Sequence, residues 1–193
     1  MIRHQVSRTS SFINRRQAAH FYPAVRLARR LGLPLNTHVT INFYHLDCPG
    51  EDASRYFERL RDNHFTRWLR YKRSRGALGG TPTYLWVIEN PGGGHHHVHW
   101  ALHIPEALKE AFEKKLPLWL EAVAGEIIDE QGAVHSTPIP DAEGLVRYLL
   151  KGTHKTVAKH LRVRHRPQGT VSGKRCGVSR NLGPAARRMM LAP

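Results

Sequence analysis

Residues 97–104 read His-Val-His-Trp-Ala-Leu-His-Ile, an alternation in which Val98, Trp100, Leu102 and Ile104 take every second place. In a strand, residues two apart leave the same side of the pleat. The apolar set then forms a face that packs on helices, while His97, His99 and His103, with Ala101 among them, occupy the other face. A segment sorted in this way calls for a sheet with one buried side.

The flanking segments supply such a sheet. "HVTINFY" (38–44) alternates Val39, Ile41 and Phe43 against Thr40 and Asn42, "TYLWVIE" (83–89) reads as a strand, and "AVHSTPI" (133–139) as a short one. Residues 51–74 form a helix with Phe57, Leu60, Phe65, Trp68 and Leu69 as its apolar positions, and Pro105 and Glu106 open another that runs to about Ala124. A basic helix spans Arg15 to Leu31 and is stopped by Gly32 and Pro34. Asp141 N-caps a helix over 141–151 that carries Leu145, Val146, Leu149 and Leu150. "RGALGGTP" (75–82) is a flexible loop and "NPGGG" (90–94) a turn. After the first helix the order is β-α-β-β-α-β-α, and its first six elements match the split βαβ, ferredoxin-like plan. The expected fold is α+β: one antiparallel sheet, helices on one face, the functional residues on the other, free face. Residues 1–35 are expected to be a basic helical extension, 36–160 the main domain, and 161–193 a basic, Gly- and Pro-rich tail of short elements that either joins the domain or trails it.

Charge narrows the partner. Lys plus Arg number 30 against 15 acids, a net +15, and all the acids fall between Asp47 and Glu143. A basic segment at each end of a near-neutral middle is an electrostatic footprint for a polyanion, and nucleic acid is the expected partner. No apolar run approaches the ~20 residues that span a membrane, and no basic helix with a large apolar face marks a lipid surface. The N-terminus has no apolar signal region, although its Arg and Ser content leaves a transit-peptide reading open. Cys48 and Cys176 lack CxxC spacing, which argues against a disulfide scaffold or a Cys-based zinc finger and fits a reducing cytoplasm.

Two imidazoles two residues apart in a strand can converge on one ion. Glu89 ends the preceding strand eight residues before His97, where a hairpin would bring its carboxylate to the pair. Neutral imidazole plus carboxylate suits Mn, Mg, Fe or Zn. His-rich tracts are often merely solvated, but a loose tract has no reason to alternate with a strong apolar face. His95 and His96 read as loop residues, and His103 as a neighbour of the site or a phosphate contact. In the helix from Asp141, Tyr148 and Lys151 are spaced i,i+3, with Lys155 one turn beyond. On one stripe, a tyrosine with cations one and two turns away can be held close to phosphate. In isolation the bland alternative, a surface aromatic beside a solvated lysine, is the commoner one.

Together these segments resemble the HUH endonucleases, named for a His-hydrophobic-His motif, and most of all the initiators of rolling-circle replication. "HVTINFY" is similar to that family's first motif, His97-Val98-His99 with Glu89 upstream to its second, and Tyr148 to Lys151 to its third, YxxK. The tail "GKRCGVSRNLG" (173–183) is similar to the ending of phage-type initiators. The resemblance covers roughly residues 36–183. It implies metal-dependent nicking and joining of single-stranded DNA, at an origin with a hairpin, by a bacterial cytoplasmic protein. Mn or Mg would sit on Glu89, His97 and His99. Tyr148 would be the nucleophile, Lys151 would orient the phosphate, and Thr40, Asn42, His103, Lys155 and Arg175 would contact DNA. Two departures stand out: no helicase domain is evident, so the larger initiators are not full models, with a host helicase among the partners the resemblance allows, and only one motif-three tyrosine is evident, which puts a two-tyrosine mechanism in doubt. A single-tyrosine transposase of the same superfamily, an RRM-like binding module, and a metal hydrolase without covalent intermediate remain as rivals.

Overall fold

The computed structural model describes residues 8–76 and 81–191, so the centre of the loop read at 75–82 and the N-terminal stretch 1–7 lie outside the described residues. The chain runs through β1 (Thr9–Ser10), α1 (Arg15–Ala18), α2 (Phe21–Arg30), β2 (Thr37–Asn42), α3 (Ala53–Arg59), α4 (Thr66–Ser74), β3 (Tyr84–Glu89) and β4 (His97–Leu102). It continues through α5 (Lys109–Ala124), α6 (Glu130–Ala133), β5 (Val134–Pro138), α7 (Ala142–Leu149), α8 (Lys155–Leu161), β6 (Val171–Ser172), β7 (Cys176–Val178) and α9 (Pro184–Leu191). A π-helical segment, Leu60–Phe65, joins α3 to α4, so the helix expected over 51–74 is one element with a widened turn at its centre. The basic helix expected from Arg15 to Leu31 is divided: α1 ends at Ala18 and α2 begins at Phe21.

The main sheet has the order β5-β2-β4-β3-β7 and every neighbouring pair is antiparallel. Its first four members follow the split βαβ plan, with β4 inserted between β2 and β3 and β2 between β4 and β5. The fold is α+β. The fifth strand, β7, comes from the tail, and β6 of the same tail pairs with β1 in a separate two-stranded ribbon.

One face of the sheet carries the larger core. Val39, Ile41, Trp86, Ile88, Val98, Trp100 and Leu102 pack on Phe57, Leu60, Phe65, Leu69, Phe112, Leu116 and Leu120 from α3, the π segment, α4 and α5. Ring centroids lie 4.8 Å apart for Phe65 and Trp100 and 5.1 Å apart for Phe57 and Trp86. Each such side chain contributes roughly 1.5–3 kcal/mol by leaving water. A one-residue slip of β4 would turn all of its apolar side chains outward, so the same burial that stabilises the sheet fixes the facing of the histidines.

The opposite face, expected to be free, is covered by helices over much of its length. Leu85, Val87 and Ala101 meet Ala24, Val25 and Ala28 of α2 and Val146 and Leu149 of α7 in a second apolar cluster. The basic N-terminal helix is therefore packed on the sheet by its apolar side. Beyond this cluster, at the polar end of the same face, lie Glu89, His97 and His99.

Candidate metal centre

Strand pairing alone brings the three together. In the β3–β4 hairpin Glu89 is opposite His97, and in the β2–β4 ladder Thr40 is opposite His99 and Asn42 opposite His97. Glu89 is 1% exposed. Its Oε2 lies 3.2 Å from His97 Nε2 and 3.5 Å from His99 Nε2, and one ligand atom from each residue falls within 4.8 Å of the others. Among the described residues this is the one group of three His, Cys, Asp or Glu side chains so placed.

The donor chemistry fits a cation. His97 Nδ1 is 3.1 Å from the His95 carbonyl oxygen, which only accepts, so in the neutral ring Nδ1 carries the hydrogen and Nε2 turns a lone pair toward Glu89. His99 Nδ1 lies 3.2 Å from both Thr40 Oγ1 and His38 Nε2, while its buried Nε2 has no hydrogen-bond partner. Burial lowers the His99 pKa, outweighing the Glu89 carboxylate that favours its protonation. For Glu89, burial favours the neutral acid, but the adjacent His97 and His99 imidazoles and the Lys151 charge outweigh it. Its carboxyl is held well below the usual carboxylate range. A buried carboxylate facing two imidazole nitrogens, one of them otherwise unpartnered, can hold a metal ion. Thr40 and His38 then fix the ring behind a ligand, as outer partners of metal-binding histidines do.

Tyr148 and Lys151 stand beside this group, although not both as expected. Tyr148, in the last turn of α7, is 49% exposed, and its ring centroid is 5.4 Å from that of His99. Lys151 follows in a short 3-10 turn, Leu150–Gly152, and is buried. Its Nζ donates to both Glu89 oxygens at 2.7 and 2.8 Å and lies 3.6 Å from the Tyr148 ring centroid. The ammonium expected to meet a phosphate is thus engaged by the carboxylate expected to meet the ion.

Of the other residues expected to contact DNA, Thr40 and Asn42 lie beside the group, and His103, Lys155 and Arg175 do not. Thr40 is spent on His99, and the Asn42 side chain accepts from Tyr44 N–H. His103 lies beyond the end of β4, with Nδ1 2.7 Å from the Pro34 carbonyl, four residues or ~13 Å along the strand direction from His99. Lys155 does not continue the Tyr148 stripe: Thr153 is extended, with ψ 161°, and Lys155 opens the separate helix α8. Arg175 is 1% exposed, and its guanidinium donates to the carbonyls of Ser10, Gln168 and Gly169, which leaves it no surface for DNA. His96, expected in a loop, is buried, and its carbonyl accepts from Phe43 N–H; His95 is exposed against the Tyr44 ring. Sequence reasoning missed His38, although the alternation that puts Thr40 and Asn42 on one face of β2 puts His38 there too.

Among the described residues no helix is long and apolar enough to cross a membrane. Comparison with protein-family models, with curated proteins and with solved structures finds no match to this chain.

Proposed function

We propose that this chain nicks and rejoins single-stranded DNA through a covalent tyrosyl intermediate, as an initiator of rolling-circle replication in a bacterial cytoplasm. The observation that carries the reading is the exposed Tyr148 ring, 5.4 Å from His99, at the edge of a buried Glu89–His97–His99 group. Sequence resemblance to the HUH initiators supports the same assignment.

Glu89 Oε2, His97 Nε2 and His99 Nε2 would hold a divalent ion, Mn or Mg, which when bound supplies Lewis-acid polarisation of a phosphate oxygen. The chain's own groups do the rest. The Tyr148 hydroxyl oxygen forms a bond to phosphorus, the bond from phosphorus to the 3′ oxygen breaks, and the departing oxygen takes up, in net, the proton the phenol gives up. The products are a 5′-phosphotyrosine and a free 3′-OH. Attack by a 3′-OH reverses the step and reseals or transfers the strand. Lys151, on Glu89 and beneath the Tyr148 ring, holds positive charge beside the phenol, where it favours a developing phenolate.

An RRM-type module reads bases with aromatics on the open face of its central strands. Here that face shows His38, Thr40, His97 and His99, while Trp86 and Trp100 are in the core. The test is incubation with single-stranded DNA and Mn, followed by a denaturing gel and mass spectrometry. A covalent adduct on Tyr148, absent from Tyr148→Phe although that variant still binds DNA, is expected. Cleavage without adduct would point to a metal phosphodiesterase, and DNA left intact would overturn the assignment.

A further inference from the structure

Beyond the metal group, Tyr148 forms part of the wall of a second feature. A cleft of about 590 Å³ is lined by Arg147, Tyr148 and Lys151 on one side and by Arg164, His165, Arg166 and Pro167 on the other. No acid lines it, and Arg147, Arg164 and Arg166 form no salt bridge among the described residues. The wall over 163–168 has no regular structure, yet it is pinned. Val163 N–H donates to Ala158, Arg166 N–H to the Lys151 carbonyl, and His165 Nδ1 is 2.9 Å from the Thr153 carbonyl. Val163 and Gln168 are buried while Arg164 and Arg166 are exposed, so the segment presents its arginines outward from an anchored backbone.

We infer that this cleft grips single-stranded nucleic acid beside the scissile phosphate, with Arg147, Arg164 and Arg166 on backbone phosphates and Tyr148 under a base. The inference rests on the nicking reading for its placement. Unpaired cations along a groove with an exposed aromatic are the combination that binds single strands without regard to sequence. Another basic pocket, around Arg61, Arg70, Lys174 and Arg180, includes Asp62 and lacks an exposed aromatic. Arg175 acts on the cleft only through the carbonyls of Gln168 and Gly169, as a positioning residue.

The test measures binding of a labelled oligothymidylate and a mixed-sequence oligonucleotide, in chelator, as a function of salt. Removal of one cation from a backbone phosphate lowers the single-strand salt slope by about 0.7, so Arg147→Gln with Arg164→Gln and Arg166→Gln should lower it by about 2. Affinity at ~0.1 M salt should fall about 10²-fold, equally for both sequences. Arg59→Gln with Arg67→Gln and Arg73→Gln, on the helices of the opposite face, removes the same charge and should change the slope far less. Equal losses in the two triple variants, or an equal loss of duplex binding, would overturn the groove. If the first triple variant fails to fold, Arg164→Gln alone should lower the slope by about 0.7, and an unchanged slope overturns the inference. Because no metal or cleavage is involved, these outcomes are independent of adduct formation, whose absence refutes the nicking reading alone.

Discussion

Replacing Lys151 with Met removes the ammonium that neutralises Glu89 and leaves a buried carboxylate against two imidazoles. Breaking a buried ion pair from one side costs about 3–5 kcal/mol. His97 and His99 still reach the carboxylate, which puts the loss near the lower end, at ~3 kcal/mol. In a chain of this length each 1 kcal/mol moves the thermal midpoint by ~2–4 °C, so a fall of ~6–12 °C is expected in chelator. Manganese should then behave differently in the two proteins. At 100 times its Kd a ligand stabilises by about 2.7 kcal/mol. In the native chain the ion must share Glu89 with Lys151, and in Lys151→Met it restores the missing positive charge. The rise in midpoint on adding Mn should therefore be larger in the variant, and it should vanish when His97→Ala and His99→Ala are added. Thermal unfolding followed by circular dichroism, with and without Mn, reads all of these. An unchanged midpoint in chelator would refute the ion pair as a stabilising interaction. Equal Mn shifts would refute the idea that lysine and ion draw on one carboxylate.

Two further perturbations probe what surrounds the site. Arg175→Leu orphans the carbonyls of Ser10, Gln168 and Gly169 at once, and a loss of about 2–4 kcal/mol is expected in urea unfolding; a loss below ~1 kcal/mol would show those bonds are replaced by water. His38 is pushed down from 6.5 to about 4, first by burial and then by His99, His135 and Lys151. Its folded-state pKa lies below the unfolded one, so it contributes stability that is present above pH 6.5 and is lost as pH falls toward 4. Urea midpoints between pH 7 and 4 should fall more steeply for the native chain than for His38→Gln, and parallel curves would refute the assignment.

The sheet and its candidate metal group are legible in the sequence because both depend on a period of two. Alternation in β2 and β4 assigns each residue a face without knowledge of neighbours, and the eight residues from Glu89 to His97 count out a hairpin. The same alternation gives the face of His38, but its contact with the His99 ring emerges only when β2 is set beside β4. Helical spacing misplaces Lys155 because it is carried through Thr153, whose extended backbone ends the stripe. Arg175 reads as a surface cation, since nothing local to an arginine shows that distant carbonyls, Ser10 among them, will surround it. The strand β7 has three residues with Gly177 at its centre, too few for a period to register. The arginine cleft combines residues from α7 with an irregular segment whose anchoring is tertiary, and no local pattern announces it.

The place of β4 has a kinetic consequence. It is bonded on both edges, to β2 and β3, and Trp100 in its middle is locked among Phe57, Phe65 and Phe112. The amides of His97 and His99 should exchange with solvent deuterium only through openings that approach global unfolding. Tyr148 sits instead, 49% exposed, in the last turn of an eight-residue helix whose hydrogen bonds are its own and not the sheet's, so it should open at lower cost. On this reasoning the residues that hold charge should fluctuate more slowly than the residue that carries the hydroxyl, and under the proposed nicking function a DNA strand bound between them would couple the two.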